Sequence, residues 1–353
     1  MTNNSSSTGF GEMASSTADH IIRVTWLSIV FVFGAVGNLL LFAVILRKGR
    51  IANVANLFNL NLALSDVLRI IVFVPVYLAY SAQNEWPKLL GKAGCKGMFM
   101  IVQSSLTVSI ITLMFMSLER YQAVVQPLKK QMNMNIAKYV VVLSWFLGLL
   151  TSIWFALSIS LGMTTGNRRT CNIGAKDFWI KQTLLLLIIG TQWLPGGVFT
   201  VAYIKIILKL RRDSVINPSD VSQSSQNRHR RNKRAARILV IEVLLFLCFL
   251  YPFYQYSLAW ILGSGDIVSP LSGKGMVIYC LMMSYSLINP ICHIALNSEC
   301  RREIIKMICQ FKGRCCRAKN RAGDCTQCHG PSWREKQQGM HLATERTKTV
   351  TEI

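Results

Sequence analysis

The run GMFMIVQSSLTVSIITLMFMSLERY, Gly97 to Tyr121, decides the fold. From Gly97 to Leu118 it carries no charge. At about 1.5 Å of rise per helical residue, that stretch spans roughly the 30 Å of a bilayer's hydrocarbon core. Its apolar residues do not alternate with period two, which excludes a half-buried strand. It then ends in Glu119-Arg120-Tyr121. An arginine beside its own acid at the mouth of a membrane helix is costly to keep there, so charges of this kind mark function.

Outward from this run the pattern repeats. The 353 residues are 52% hydrophobic and only 16% charged, where a soluble domain carries about a quarter charged residues. The apolar residues fall in blocks, and spans are expected at 24–46, 56–81, 96–119, 137–161, 179–204, 236–262 and 276–296. The fold class is therefore all-α, a seven-helix membrane bundle over 24–297. An extracellular arm, 1–23, precedes it. A short amphipathic surface helix, 298–312, and a disordered cytoplasmic tail, 313–353, follow it.

Orientation comes from the placement of Lys and Arg. Arg47, Lys48 and Arg50 follow the first span; Lys129, Lys130 and Lys138 follow the third. Lys205, Lys209, Arg211, Arg212, Arg228, Arg230, Arg231, Lys233, Arg234 and Arg237 lie between the fifth and sixth, and the tail is basic as well. The opposite loops are poorer, which places the N-terminus outside and the chain in the plasma membrane as a multi-pass protein. The net charge of +23 is mostly this asymmetry. Without a soluble basic domain it points to anionic inner-leaflet lipid and not to nucleic acid. Residues 1–23 lack the apolar core of a cleavable signal. Asn3-Asn4-Ser5 and Asn4-Ser5-Ser6 both fit N-glycosylation, at Asn3 and Asn4, on the outer side.

Of eleven cysteines, only Cys95 and Cys171 fall in outer segments. Two thiols in an oxidising compartment suggest one bridge, tying the loop after the fourth span over the outer mouth. Cys248, Cys280 and Cys292 lie within spans and read as packing. Cys309 lies in the amphipathic stretch 299–311 and Cys315 and Cys316 follow it, where acylation, at Cys315 and Cys316 above all, would pin it to the membrane. Cys325-Thr326-Gln327-Cys328-His329 has haem-attachment spacing, but its cytosolic, basic context speaks against haem.

Taken in order, the polar residues of the spans resemble those of rhodopsin-like (class A) G-protein-coupled receptors, from about Val24 to Phe311. They are Gly37-Asn38; Leu62-Ala63-Leu64-Ser65-Asp66; Cys95 with Glu119-Arg120-Tyr121 twenty-five positions on; Trp145; Pro195 and Tyr203; Phe246 and Pro252; and Asn289-Pro290. The resemblance implies that Asp66, Ser109, Ser286 and Asn289 gather oxygens around a structural sodium ion, the sole cofactor expected. A lone carboxylate mid-helix costs about 2.5–3.5 kcal/mol on insertion scales and needs such partners. It implies that Ile110, Pro195 and Phe246, with Leu250 and Pro252, form a packed switch under the ligand pocket. It implies too that Arg120, held by Glu119 when off, is released to Tyr203 and a heterotrimeric G protein when on. Arrestin would be a further inner partner.

Three departures stand out. Leu250 replaces the tryptophan that usually floors the pocket, and His293 replaces the tyrosine three residues past Pro290. Glu242 stands where the family is apolar. Glu242 and His293 either pair across helices six and seven or face water separately. Arg69, one turn beyond Asp66, either pairs with that carboxylate, weakening the sodium site, or reaches the pocket base to bind an anion. Asn232, where an acid could have locked Arg120, leaves that lock missing.

Ligand class is bounded by exclusion. Val102 stands where aminergic receptors carry their aspartate, and Met283 where opsins carry their lysine. Peptides, lipids and small anions remain, and Ser117 to Leu128 looks most like neuropeptide receptors. Gln103, Leu106, Phe253, Tyr254 and Gln255 would line a peptide pocket, with Arg168, Arg169 and Lys176 suiting its acids. The segment 217–227 reads as a flexible insert, Ser214 as a kinase site, and Thr351-Glu352-Ile353 as a PDZ-domain ligand. Two function classes follow: a ligand-activated receptor, or a seven-helix decoy or scaffold that no longer couples. No nucleophile-and-base set suggests an enzyme, and no inverted repeat suggests a transporter.

Overall fold

The computed structural model describes residues 20–47, 53–83, 85–126, 128–163, 169–173, 178–213, 240–242, 244–262 and 273–319. Seven helices in it are long and apolar enough to cross a membrane. They are α1 (His20–Arg47), α2 (Val54–Gln83), α3 (Gly91–Val125), α4 (Met134–Leu157), α5 (residues 178–213), α6 (Val240–Ala259 as a span) and α7 (Gly273–Leu296). All seven expected spans are present, and α2 and α3 run past them at both ends. Hydropathy marks only the part in hydrocarbon, while backbone pairing carries a helix on into the headgroup region.

One expected span overran. Residues 159–161 belong to β1 (Ile159–Met163), paired antiparallel with β2 (Arg169–Ile173), Leu161 facing Cys171. This hairpin satisfies its own backbone outside the bilayer while Ile159 and Cys171 turn their side chains inward. The eighth helix, α8 (Ser298–Lys319), also passes its expected end at 312, since Arg317, Ala318 and Lys319 are strong helix formers.

Helix α3 is the axis: 78% of its apolar window is buried, against 33% for α4 and for α5. The α4 residues left exposed, Tyr139, Val142, Leu143, Phe146, Leu149, Leu150 and Ile153, form one apolar stripe at helical spacing, the face such a helix turns to lipid. Its other face meets α3 at Gly148, where an added Cβ would lie 2.9 Å from the Ser104 carbonyl oxygen. Asn61 ties three helices, donating to Thr112 Oγ1 at 2.8 Å and accepting from Trp145 Nε1 at 2.9 Å. Asn38 ties α1 to α7, its amide donating to the Gly34 and Ser286 carbonyls at 2.9 Å each.

Two helices carry wide turns next to prolines. Residues Ile189–Trp193 lead into Pro195 of α5, and Phe246–Leu250 into Pro252 of α6. Proline cannot donate to the preceding turn, and its ring crowds that carbonyl, so the local widening relieves both.

Candidate functional site

At the C-terminal end of α3 the Arg120 Nε donates to Glu119 Oε2 at 2.9 Å, with the two side chains 20% and 14% exposed. The pair is half-buried, so the guanidinium is neither sealed away nor fully hydrated. Tyr203, on α5, is buried within electrostatic reach of both Arg120 and Glu242. Tyr121 accepts a bond from Gln126 at 3.4 Å and packs beside Val124 and Ile206.

Glu242 and His293 meet across α6 and α7, Nδ1 to Oε1 at 3.8 Å, both buried. Asn59 of α2 approaches the other ring nitrogen at 3.3 Å. With the Asn59 amide as donor, Nε2 accepts, which puts the imidazole proton on Nδ1 facing the carboxylate. The two departures therefore pair, and a third helix orients the ring.

Mid-membrane, Asp66 is fully buried and saturated. Arg69 Nη2 binds its Oδ1, Ser286 Oγ donates to the same oxygen at 3.1 Å, and Asn289 Nδ2 donates to Oδ2 at 3.1 Å. Arg69 Nε and Nη2 also donate to Ser286 Oγ, at 3.0 and 2.6 Å. Ser109 is turned away: its hydroxyl donates to the Ser105 carbonyl at 2.9 Å and lies 3.0 Å from Ser65 Oγ. Of the oxygens expected around sodium, Asp66, Ser286 and Asn289 come together and Ser109 does not. A sodium ion does not fit this donor set, because a guanidinium of the chain already occupies the cation's place on the carboxylate. Of the two readings of Arg69, the geometry has the pairing with Asp66: its Nε and Nη2 are committed to Ser286 and Asp66.

The transmission residues converge. Phe246 meets Phe199 edge-to-face with centroids 4.9 Å apart. A Cβ on Gly196, the residue after Pro195, would lie 3.6 Å from the Phe246 ring and 3.7 Å from Ile110 Cδ1. Leu250 is wholly buried one turn above, beside Pro252. Pro290 packs on α1, where an added Cβ at Gly37 would approach its ring to 3.0 Å.

Toward the outside, Val102, Gln103, Leu106, Phe253, Tyr254 and Met283 are all buried. Phe253 sits in a ring series with Tyr254 (5.8 Å) and Tyr279 (5.7 Å), and Tyr279 stacks on Phe73 at 5.8 Å. Gln255 donates to the Tyr251 hydroxyl. A small cavity lies between Phe73, Tyr77, Tyr80, Trp86, Phe99 and Cys171. The Cys95–Cys171 bridge, Cα atoms 5.8 Å apart, fastens the hairpin to α3 as expected. Trp86 N–H donates to the Arg169 carbonyl at 2.8 Å. Arg169 Nε holds Glu85 Oε1 at 2.9 Å, so its charge is shared with a carboxylate of the chain. That hydrogen bond keeps the Glu85 carboxyl below the ordinary glutamate range.

The glycosylation sites Asn3 and Asn4, the outer Arg168 and Lys176, Asn232, Ser214, the insert 217–227, the motif at 325–329 and the terminus Thr351-Glu352-Ile353 lie outside the described residues. Cys315 and Cys316 fall on α8, where only the backbone is described. Arg23 and Asn59 take part without having been anticipated. Their signals were a lone cation opening an apolar span, and a buried amide seven positions before Asp66.

A helix bundle with a disulfide-tethered outer hairpin, a half-buried arginine pair at the opposite end and a polar axis between them defines a seven-helix membrane receptor. Residues 37–293 match the 7 transmembrane receptor (rhodopsin family), and the chain belongs to that family, one of receptors and not of enzymes. It is 31% identical over 216 residues to neuromedin-U receptor 1 of Rattus norvegicus, covering 57% of this chain and 49% of that protein. It is 30% identical over 205 residues to neuropeptide Y receptor type 6 of Oryctolagus cuniculus, covering 54% of each. Against somatostatin receptor type 2 of Mus musculus it is 27% identical over 292 residues, 80% of this chain and 76% of that one. The chain spans about half the length of the first two relatives.

Proposed function

We propose that this chain is a peptide-activated receptor of the plasma membrane, N-terminus outside, that couples to heterotrimeric G proteins through Glu119-Arg120-Tyr121. One observation carries the reading: Arg120 is restrained at 2.9 Å by the neighbouring Glu119, half-buried, with Tyr203 of α5 nearby. Exchange of that local partner for another would give the helix end a second arrangement, and a ligand that favours one of the two would bias the balance. The names of the relatives, receptors for neuromedin U, neuropeptide Y and somatostatin, support a peptide as that ligand. The aromatic outer pocket suits one, and Val102 offers no anchor for an amine. Arrestin and a PDZ-domain protein would be further inner partners, with acylation at Cys315 and Cys316 holding α8 to lipid.

The test is nucleotide exchange on purified G proteins, driven by a peptide library over membranes carrying the wild type or Arg120→Gln. Peptide-driven exchange is expected for the wild type, with loss of exchange but retention of peptide binding in Arg120→Gln. Peptide binding without exchange on any G protein would make the chain a decoy or scaffold.

A further inference from the structure

Glu242 of α6, His293 in the last turn of α7 and Asn59 of α2 meet as one buried polar cluster. Its separations leave the contact between α6 and α7 unfinished. His293 Nδ1 lies 3.8 Å from Glu242 Oε1, too wide for a hydrogen bond. The other carboxylate oxygen, Oε2, is buried with no hydrogen-bond partner. Asn59 Nδ2 faces Nε2 at 3.3 Å, which is the arrangement of a neutral ring accepting at that nitrogen.

The neighbouring elements do not finish it. Arg120 of α3 is held by Glu119, and Asp66 of α2 by Arg69. Arg301 of α8 turns to the Ala295 carbonyl. Tyr203 of α5, with Tyr285 and Cys292 of α7, lies within electrostatic reach of Glu242, but a hydroxyl or thiol supplies no positive charge. Among the described residues, His293 is therefore the group whose charge can compensate Glu242. Imidazole is also the side chain whose charge ordinarily changes between about pH 5 and 8.

We propose that Glu242 and His293 form a proton-operated clasp between α6 and α7, open while the ring is neutral and closed when it takes up a proton. A buried carboxylate without a counter-ion is held at a cost, and a cation beside it offsets that cost. Protonation draws Nδ1–H onto Oε1 and fastens α6 to α7. Asn59 serves both states, because its amide turns to offer Oδ1 to Nε2–H where Nδ2 meets the bare nitrogen. The sign follows from linkage: the closed clasp holds the proton, so its stabilisation is present on the acid side and is lost as pH rises. On the coupling reading, on which this regulatory role rests, acid on the inner side holds α6 in place and restrains nucleotide exchange.

The experiment uses the full chain purified in detergent and follows thermal unfolding at about pH 6 and about pH 8. His293→Gln is subtracted from the wild type, so that the other histidines cancel. The difference should favour the wild type toward acid, by at most about tenfold in the folded-to-unfolded ratio per pH unit. Tenfold corresponds to a midpoint shift of about 2 °C. Glu242→Gln should remove this gain. Asn59→Asp, which can only accept from Nε2–H, should keep the ring charged and carry the gain to higher pH. A wild type that loses stability toward acid in the same subtraction would overturn the clasp, because a ring buried in its neutral form has that opposite sign. So would an acid gain that survives Glu242→Gln. Should Glu242→Gln fail to fold, the sign of the subtraction and the displacement in Asn59→Asp still decide. Basal nucleotide exchange on purified G proteins should rise from the lower pH to the higher in the wild type relative to His293→Gln. Exchange with no such difference would overturn the regulatory role. With the acid gain present and no exchange at either pH, the coupling reading fails and the clasp stands.

Discussion

Replacing Arg69 by methionine removes the one cation that Asp66 touches and leaves a carboxylate, fully buried, with only Ser286 and Asn289 as partners. Breaking a buried ion pair from one side costs about 3–5 kcal/mol, most of it the penalty of the charge left behind. The vacated space is bounded by the Asp66, Ser286 and Asn289 oxygens, which is the beginning of a sodium site. Sodium at a hundred times its Kd would then return about 2.7 kcal/mol. The wild type should unfold at the same temperature in sodium chloride and in choline chloride. Arg69→Met should unfold well below it in choline and recover in sodium, and Asp66→Asn with Arg69→Met should lose the sodium response. The double variant should also be more stable than the single one in choline, since no charge remains unpaired. The assay is thermal unfolding of detergent-solubilised receptor, read by intrinsic tryptophan fluorescence. A sodium-specific stabilisation of the wild type that Asp66→Asn removes would refute the reasoning, because the ion and the guanidinium cannot both hold that carboxylate.

Further outcomes follow from the same geometry. Glu242→Leu and His293→Tyr should be non-additive in basal signalling by the equivalent of about 0.5–3 kcal/mol, and strict additivity in a double-mutant cycle would dissolve the pair. Gly148→Leu should abolish surface expression while Gly148→Ala only lowers it, since the new Cβ already meets the Ser104 carbonyl at 2.9 Å and has backbone to push against. Reduction should destabilise the wild type by about 4.5 kcal/mol from loop entropy over the separation of 76 residues, and should leave Cys95→Ala/Cys171→Ala unmoved. Glu85 titrates below its unfolded value, so its grip on Arg169 is complete above about pH 4.3 and is lost as pH falls through the lower folded value. Protection of the Trp86 amide, taken relative to its intrinsic exchange rate at each pH, should fall in that acid range, and Glu85→Gln should remove the dependence.

The spans, the bridge and the conserved-looking polar order could be read in the chain because each depends on a local quantity. Length of an uncharged run, side of the membrane and residue type suffice for them. The Cys95–Cys171 bridge formed where expected for this reason. Residue type alone says that Asp66 needs a partner, not which one arrives. Arg69 sits three residues away on the same face, and whether its fork turns toward Asp66 or toward the pocket is settled only by Ser286 coming from α7. Arg169 likewise read as a basic outer residue until the hairpin carried it to Glu85.

By itself the sequence determined that seven apolar helices cross a membrane, because hydrocarbon accepts only long runs that satisfy their own backbone. It also determined that Arg120 must be held by something close at hand, and supplied Glu119 next to it. Only the tertiary structure decided which buried charges face which. Asp66 meets Arg69, Glu242 meets His293 with Asn59 behind it, and Arg23 keeps two donors unused. A charge in a low-dielectric interior is governed by atoms a few ångströms away, and several of those atoms, Ser286 and Asn289 at Asp66 and His293 at Asn59, come from more than two hundred residues along the chain.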